Sequence, residues 1–228
     1  MKHAGKAGQA GRRMILWTLV LIMAVLGGGL CAIVLGSLIA VATSFLIGMW
    51  FLFALFTLYF FRDPTPSVPK AQGLYLSPCH GTVTIIDEVE EPEFMKGRCQ
   101  RISVFLSIFD VHVQKAPISG VVNYMQYHEG EFLNAMKPES AARNENVLIG
   151  FDSSEEPGER IGVRLIAGVI ARRIVPWIAE GDAVERGERV SLIQFGSRCD
   201  LYAPLSARIE AKLGDKVIGG QTILARRG

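Results

Sequence analysis

The stretch "ARIEAKLGDKVIGGQTI" (207–223) indicates the fold of most of this 228-residue chain. In its first part, "ARIEAKL" (207–213), Ala, Ile, Ala and Leu alternate with Arg, Glu and Lys, as in a strand with one buried face. Its second part, "GDKVIGGQTI" (214–223), opens with Gly-Asp, which is common turn chemistry. The stretch therefore predicts a strand over 207–213 followed by a tight turn.

The same phrases recur along the chain as a degenerate repeat. "GDAVERGERV" (181–190) shares Gly-Asp-x-Val, two residues and Gly with 214–223. "SPCHGTV" (77–83), "APISGVV" (116–122) and "APLSARI" (203–209) share a small residue, Pro, two residues, a small residue and then a strand. Short strands separated by Gly-Asp and Pro turns resemble the biotinyl/lipoyl-type β-sandwich, an architecture that does not by itself define a function. We therefore expect a mostly β barrel or sandwich domain over residues 71–228.

Other segments fit this expectation. Further strand candidates are "GTVTII" (81–86), "RISVFLSI" (101–108), "IGVRLIAGVI" (161–170) and "VSLIQF" (190–195), each bounded by Gly, Pro or Asp. A helix is indicated near 131–142, where Phe132, Leu133 and Met136 recur at helical spacing.

The N-terminal part predicts a membrane anchor. Residues 14–61 contain no Asp, Glu, Lys, Arg or His. A spanning helix needs roughly 20 apolar residues, so we predict a helical hairpin of about 14–35 and 38–61, with the turn near Gly36-Ser37. Gly27-Gly28-Gly29 is a rival break point, but it leaves a first segment too short to span. A cleaved signal peptide is the alternative, and its apolar region should be only ~7–15 residues long.

The flanks of this run predict its orientation. The tail (1–13) carries two Lys and two Arg and no acid, which marks the cytoplasmic side of a bacterial inner membrane. Two crossings would return the chain to that side, where "RDPTPSVPK" (62–70), with three Pro, acts as a stiff linker to the domain. The four Cys form no C-x-x-C pair, which suits free thiols in a reducing cytoplasm. A net charge of +2 without a basic stripe argues against a nucleic-acid partner.

Short catalytic motifs are missing from the sequence: there is no P-loop, G-x-S-x-G or H-E-x-x-H. In "SIFDVHVQKAP" (107–117), His112 is expected at the end of a strand, pointing away from Val111 and Val113. A lone His of this kind is more often structural than catalytic. Cys79, His80, His112 and Cys199 suggest a metal site by residue type, but neighbouring residues 79 and 80 would point to opposite faces of a strand. We therefore expect no metal.

As a set, the motifs resemble the phosphatidylserine decarboxylase family, in particular its short prokaryotic form with an N-terminal membrane segment. The matching phrases are "YFFRDPTP" (59–66), "SPCHG" (77–81), "RISVFLSIFDVHVQKAPISGVV" (101–122), "GEFLNA" (130–135), "NEN" (144–146), "IAGVIARRIV" (166–175), "GERVSLIQFGSRCDLYAP" (187–204) and "GGQTILA" (219–225). The block around Phe195-Gly196-Ser197-Arg198 is the most specific of them.

The resemblance implies a self-cleaving proenzyme. The Ser197 hydroxyl attacks the carbonyl of Gly196 to give an ester, and elimination leaves dehydroalanine, which hydrolyses to a pyruvoyl group and ammonia. A β chain (1–196) and an α chain (197–228) would then form a heterodimer, with a higher homo-oligomer left open. The pyruvoyl group forms a Schiff base with the amine of phosphatidylserine in the membrane and accepts the electrons released with CO2, giving phosphatidylethanolamine. Neither pyridoxal phosphate nor a metal is then expected.

The resemblance also implies roles for other residues. His112 matches the family histidine for proton transfer and carboxylate recognition. Arg172 or Arg173 could contact a lipid phosphate, and two solvated arginines are the alternative.

Two positions depart from the family pattern. His80 stands where the family usually has the Asp of its self-cleaving triad, and Lys115 stands where longer members have a second His. Three accounts follow: His80 acts as or assists the base for Ser197, His112 acts alone and cleavage is slow, or cleavage fails and the chain is a non-processing homologue. Outside the family, the rival interpretation is a membrane-anchored lipoyl-like adaptor of a transport system. Such adaptors usually have long heptad-patterned helices, which are missing from this sequence.

Overall fold

The structure of the chain is a computed structural model that describes residues 6–133, 143–168, 173–193 and 197–228. Within the helix at its start, side chains are described from residue 15 onward. The chain divides into two compact units, Met1–Thr57 and Leu58–Gly228.

A single helix, α1 (Lys6–Phe60), accounts for the described part of the first unit and ends in the second. At 1.5 Å per residue its 55 residues extend about 80 Å, whereas the hydrocarbon core of a bilayer is about 30 Å thick. Residues Ile15–Phe60 are long and apolar enough to cross a membrane. The helix thus fits a membrane anchor.

The predicted hairpin is wrong: α1 has no turn at Gly36-Ser37. The Ser37 hydroxyl donates a hydrogen bond to the Val34 carbonyl at 2.8 Å, so this serine is satisfied inside the helix. Glycine costs about 1 kcal/mol relative to Ala in a helix interior but keeps its N–H, whereas Pro would remove it. Without a Pro or a charged residue in the run, the sequence offers nothing strong enough to break the helix.

The second unit is mostly β, as predicted. Its strands are β1 (Leu74–Leu76), β2 (Gly81–Glu91), β3 (Gly97–Leu106), β4 (Val113–Lys115), β5 (Gly120–His128), β6 (Asn146–Ser153), β7 (Arg160–Ala167), β8 (Ile174–Pro176), β9 (Ala183–Val184), β10 (Arg189–Ile193), β11 (Ser197–Ala203), β12 (Arg208–Ile209), β13 (Lys216–Val217) and β14 (Ile223–Arg226).

These strands form one large and two small antiparallel sheets. The large sheet has the order β13-β2-β3-β11-β7-β6-β5-β9, and the small sheets have the orders β1-β14-β12 and β4-β10-β8. The main core is built from buried apolar side chains of both the large and the small sheets, and a second, smaller cluster contains Phe94, Cys99, Leu148 and Tyr202. Every residue of β11 is buried, because this strand lies inside the large sheet, between β3 and β7.

The repeat seen in the sequence appears in the structure as two copies of one pairing pattern. Val83 donates to the Asp215 carbonyl and accepts from Gly214, and Val122 does the same with Asp182 and Gly181. In the same way β13 pairs with the start of β2, and β9 pairs with the start of β5. The glycines that open the two turns have φ values of +92° (Gly181) and +87° (Gly214), the left-handed conformation that glycine adopts without steric cost.

The two copies also contact each other at their Pro turns. Leu76 donates to the Pro117 carbonyl at 3.0 Å, and Lys115 donates to the Pro78 carbonyl at 2.7 Å. This reciprocal pair of bonds is the signature of an approximate two-fold relation between the two repeats. It brings the "SPCHG" turn next to the strand that follows His112.

Other strand predictions fared unequally. The candidates at 81–86, 101–108 and 161–170 overlap β2, β3 and β7, and 190–195 overlaps β10; the ends of the last two candidates lie outside the described residues. The strand predicted over 207–213 is limited to Arg208–Ile209, which pair in register with β14. Glu210 and Ala211 both donate to the single carbonyl of Leu224, which breaks the regular pairing, and Leu213 is exposed. Most of the helix predicted near 131–142 falls outside the described residues.

Candidate active site

Ser197 is the first residue of β11 and is fully buried. It pairs with Leu106 of β3 on one side and with Ala167 of β7 on the other. Its hydroxyl has no hydrogen-bond partner within the described residues. A buried hydroxyl without a partner costs free energy, on the order of 1–3 kcal/mol, so its presence calls for a functional explanation.

The chain changes sheets directly before Ser197. Ile193 is the last residue of β10, in a small sheet, and Ser197 opens β11, in the large sheet. Gly196, the predicted cleavage position, lies between them and outside the described residues. The end of β10 is held by Ile193, whose N–H donates to the His112 carbonyl at 3.1 Å. The strand leading into the Gly196-Ser197 bond is therefore bonded to the backbone of His112.

His112 is fully buried and directly precedes β4. Its Nδ1 lies 2.9 Å from the Asp110 carbonyl oxygen, and its ring stacks on Phe60 with centroids 4.3 Å apart. A carbonyl oxygen only accepts, so Nδ1 carries the proton and Nε2 holds the lone pair of the neutral ring. Burial lowers the pKa of His112 to about 4, although the Asp110 carbonyl and carboxylate oppose the shift. At neutral pH this imidazole is a neutral proton acceptor.

His80 lies in the turn between β1 and β2 and is half-buried. Its Nδ1 accepts a hydrogen bond from the Gly219 N–H at 3.3 Å, so the proton of the neutral ring sits on Nε2. Burial, followed by the charge of Lys115, lowers the pKa of His80. Strand β3 separates β2 from β11, which puts the backbone that follows His80 about two strand spacings, roughly 10 Å, from that of Ser197.

In the other repeat, Ser119 does the same structural work as His80. Its hydroxyl accepts the N–H of Arg186 at 3.0 Å, and Arg186 occupies the position in its turn that Gly219 occupies in the other. The two turns thus need an acceptor at this place, and His80 supplies it with a ring nitrogen.

Lys115, at the second family-histidine position, is buried and paired with Asp63 of the linker at 2.8 Å. Arg189 of β10 contacts the other oxygen of the same carboxylate. Both partners lower the pKa of Asp63 against the opposing effect of burial, and burial lowers the pKa of Lys115. The linker is therefore bonded to β4 and β10, two strands of the small sheet, and β4 directly follows His112. Sequence reasoning missed this cluster, since its members are far apart in the chain.

Cys79 and Cys199 meet in the core, where both are fully buried. The pKa of the Cys199 thiol is raised well above its usual value by burial and by the neighbouring Cys79 thiol. Among the residues that the structure describes, no three His, Cys, Asp or Glu side chains come together as metal ligands. The four side chains weighed as a metal site therefore do not form one here.

The two arginines considered for phosphate binding have different outcomes. Arg172 lies outside the described residues. Arg173 is exposed and directly precedes β8, whose first residue, Ile174, pairs with Ile193. Arg173 is thus at the end of β10 that leads to Ser197.

Asn144, in the motif "NEN" (144–146), lies beside the candidate site, although no role was assigned to it from the sequence. It is buried, and its side-chain amide donates to the carbonyls of Leu133 (2.8 Å) and Ala167 (2.7 Å) and accepts from the Leu133 N–H at 2.9 Å. Because Ala167 is the cross-strand neighbour of Ser197, this amide braces the strand beside the serine. In the sequence, the position of Asn144 in the motif "NEN" is the signal that could have pointed to it.

A buried ion pair lies one residue beyond the serine. Arg198 and Asp200 are both inaccessible to solvent, and the guanidinium contacts the two carboxylate oxygens at 2.7 Å each. Burying two charges is costly unless they are paired in good geometry, as here. This pair fixes the start of β11 on the face opposite the main core.

Comparison with known proteins of similar sequence shows the family of this chain. A sequence model of the phosphatidylserine decarboxylase family matches residues 53–225. A phosphatidylserine decarboxylase proenzyme of Symbiobacterium thermophilum is 41% identical over 197 residues, covering 84% of this chain and 91% of the relative. Proenzymes of the same name from Desulfotalea psychrophila and Carboxydothermus hydrogenoformans are 42% and 40% identical, covering 75% and 85% of this chain and 79% and 88% of the relatives. The chain belongs to the phosphatidylserine decarboxylase family.

Proposed function

We propose that this chain is a proenzyme that cleaves itself between Gly196 and Ser197 and then converts phosphatidylserine to phosphatidylethanolamine and CO2. The observation that carries the proposal is the buried Ser197 hydroxyl, which has no hydrogen-bond partner within the described residues. Ser103 also has a buried hydroxyl without a partner among the described residues, so what distinguishes Ser197 is its place directly after Gly196, whose carbonyl its hydroxyl would attack.

The cleavage begins at the Ser197 hydroxyl. Its oxygen attacks the carbonyl carbon of Gly196, the C–N bond breaks, and the nitrogen of residue 197 takes up a proton, so an ester replaces the amide. Elimination releases the Gly196 carboxylate and leaves a dehydroalanine at 197, which adds water and loses ammonia to become a pyruvoyl group. That group supplies the electron sink that decarboxylation of an amino acid requires, without pyridoxal phosphate or a metal.

His112 is the residue that we assign to proton transfer. Its neutral ring holds a lone pair on Nε2, and its low pKa keeps it neutral at pH 7. The lone pair suits a general base for the Ser197 hydroxyl, and the protonated ring that results would return the proton in a later step. His80 is the alternative base, but its Nδ1 lone pair is engaged by Gly219. We therefore assign His80 to holding the turn.

The cut would leave two chains that stay together as a heterodimer. Residues 197–228 supply β11, which pairs along its length with β3 and β7, and β13, which pairs with β2. They also supply β14, which pairs with β1. These pairings involve strands on both sides of the cleavage position, which supports association without the peptide bond.

Two finer points belong to the same proposal. Arg173, with Arg172, is assigned to the lipid phosphate, because a guanidinium is suited to it and Arg173 lies at the end of β10 that leads to Ser197. Changing Arg173 to Gln should then raise KM for phosphatidylserine more than it lowers kcat. We assign the β domain to the cytoplasmic face of a bacterial inner membrane on the unpaired thiols of Cys79, Cys99 and Cys199 alone, because the second crossing that would return the chain to that side is not formed by α1. Digestion by protease in inverted vesicles, but not in intact spheroplasts, is the expected result.

The deciding experiment is an intact-mass measurement of the purified protein. We expect fragments of residues 1–196 and 197–228, the second reactive toward carbonyl reagents, and release of CO2 from phosphatidylserine. Ser197→Ala should abolish both the fragments and the reaction. Ser103→Ala is the matched control. Ser103 is also buried, its hydroxyl has no hydrogen-bond partner within the described residues, and it lies on the adjacent strand, opposite Asp200. A single uncut chain with an ordinary serine at 197 would identify a non-processing homologue.

A further inference from the structure

The segment at the end of α1 and the loop before His112 form a surface that we call the aromatic rim. It consists of four exposed residues, Leu58, Tyr59, Phe61 and Phe109, and the half-buried Arg62. Phe109 is 62% exposed and Leu58 74% exposed, and Tyr59 and Phe61 are also exposed. Phe60, between the last two, points the other way and is buried against His112. One short segment therefore contacts the catalytic histidine with one side chain and presents its neighbours to the surroundings.

The rim is held together by bonds to one carbonyl. The Phe109 carbonyl accepts from Arg62 Nη2 at 2.6 Å and from the Tyr59 hydroxyl at 3.2 Å. Arg62 also bonds the Tyr59 carbonyl, and its guanidinium lies 3.9 Å from the centre of the Tyr59 ring. The Phe109 backbone is thus fixed although its ring is exposed. Together with the exposed Tyr59, which bonds the Phe109 carbonyl, this ring belongs to an exposed apolar patch, and such patches indicate a binding surface.

The same loop fixes His112. The next carbonyl along, that of Asp110, accepts the His112 Nδ1–H at 2.9 Å. The Asp110 carboxylate in turn accepts from the N–H and hydroxyl of Ser107, which closes the loop on itself. The exposed Phe109 and the carbonyl that bonds His112 therefore belong to one short, hydrogen-bonded loop.

The chemistry of the rim fits a lipid bilayer. Tyr and other aromatic side chains beside an Arg are typical of the membrane–water interface, where the rings reach the acyl chains and the cation attracts anionic headgroups. The apolar run of α1 ends at Phe60, inside the rim, so chain connectivity alone brings the rim to the end of a membrane-spanning segment.

We propose that the aromatic rim docks on a bilayer that contains anionic phospholipid, with the Phe109 ring inserted at the headgroup level. Docking then sets the height of His112 above the membrane. The inference rests on the proposed function for its activity readout only. A soluble substrate would not need the rim, whereas a lipid that stays in the bilayer would.

The first test measures insertion without activity. In a Cys31→Ser background, Phe109→Cys is labelled with the fluorophore NBD and the full chain is placed in nanodiscs of phosphatidylethanolamine and phosphatidylglycerol; the other Cys are buried. We expect strong quenching by lipids with a shallow nitroxide. The matched control is Leu205→Cys: Leu205 is 45% exposed, and its carbonyl bonds Gln100, some six residues or about 20 Å along β3 from Leu106. Equal quenching at both positions, no quenching at 109, or disulfide cross-links between two copies of the Phe109→Cys variant would overturn the proposal.

The second test separates docking from chemistry. Phe109→Ser should lower decarboxylation of long-chain phosphatidylserine in nanodiscs about tenfold or more, through KM, and leave the rate with monomeric dihexanoyl phosphatidylserine unchanged. Phe109→Trp should restore the bilayer rate, and Leu205→Ser should change neither. An equal loss with both substrates, or no loss with either, contradicts membrane docking. If the wild-type chain decarboxylates neither substrate while the label at 109 is quenched, the proposed function fails and the docking surface stands.

Discussion

His80 and His112 are the same residue type in two turns of one domain, and the structure gives them opposite chemistry. Both have pKa values lowered by burial. The Nδ1 of His112 faces a carbonyl oxygen and must carry the proton, whereas the Nδ1 of His80 faces a backbone N–H and must hold the lone pair. The polarity of one backbone neighbour therefore decides which ring nitrogen can take a proton. Composition and motif position do not reveal that difference.

Removal of the His112 imidazole is the strongest test of the difference between the two histidines. We expect His112→Ala to slow the appearance of the 197–228 fragment by about 10²–10⁴-fold, the usual contribution of a general base. The measurement is a time course of processing in freshly synthesised protein. His128→Ala is the control, because His128 pairs with Glu93 at the domain surface. Normal processing of the His112 variant would remove its assigned role.

The dependence of the processing rate on pH below 7 is a second test of the difference between the two histidines. Only the neutral form of His112 accepts a proton, and this form is lost as the pH falls through its pKa, which is about 4. Processing at pH 5 should then be nearly as fast as at pH 7. An imidazole with the ordinary pKa of about 6.5 would be roughly thirtyfold less active at pH 5 than when fully neutral. A midpoint near 6.5 would show that another group, or a solvated His112, is the base.

Substitution of His80 tests the other side of the comparison. His80→Ser keeps an acceptor for the Gly219 N–H, as Ser119 does for Arg186 in the second repeat. We expect processing within about threefold of wild type, since no base has been removed. His80→Asp, which restores the family residue, should process no more slowly than wild type. A hundredfold loss in both variants would make His80 an active base.

The smallest effect is expected from Ser119→Ala, which removes the acceptor in the repeat that lacks a histidine. Loss of that hydrogen bond should cost about 1 kcal/mol of stability, or some 2–4 °C in Tm, with no change in processing. Thermal unfolding of the wild-type and variant proteins measures it. A change in cleavage rate would mean that the two repeats are mechanically coupled.

Local patterns predicted the strands that are long and alternating. β2, β3 and β7 were recognisable because their apolar positions match their buried faces, and the Gly-Asp turns because glycine is required at positive φ. The segment 207–213 alternates just as well, but only its residues 208 and 209 pair in register with β14, and the next two residues share one carbonyl of that strand. Pairing is a tertiary property, which periodicity within one segment does not contain.

The site was predictable in part for the same reason. Ser197 and His112 stand in specific motifs, so the family resemblance could propose them as candidates. The bonds from Asp63 to Lys115 and Arg189 join residues 52 and 126 positions apart in the chain, which no local pattern encodes. The hairpin prediction failed because composition measures whether a segment can enter a membrane and not whether its backbone turns.

The position of Ser197 at the head of an inner strand has a consequence for how a lipid is handled. A reactive group at the tip of a flexible arm can travel to its target, but one at residue 197 is attached to a strand bonded to β3 and β7 along its length. It moves only as the sheet moves. Under the proposed function, the lipid headgroup would therefore have to reach a reactive group that is held in place by two neighbouring strands.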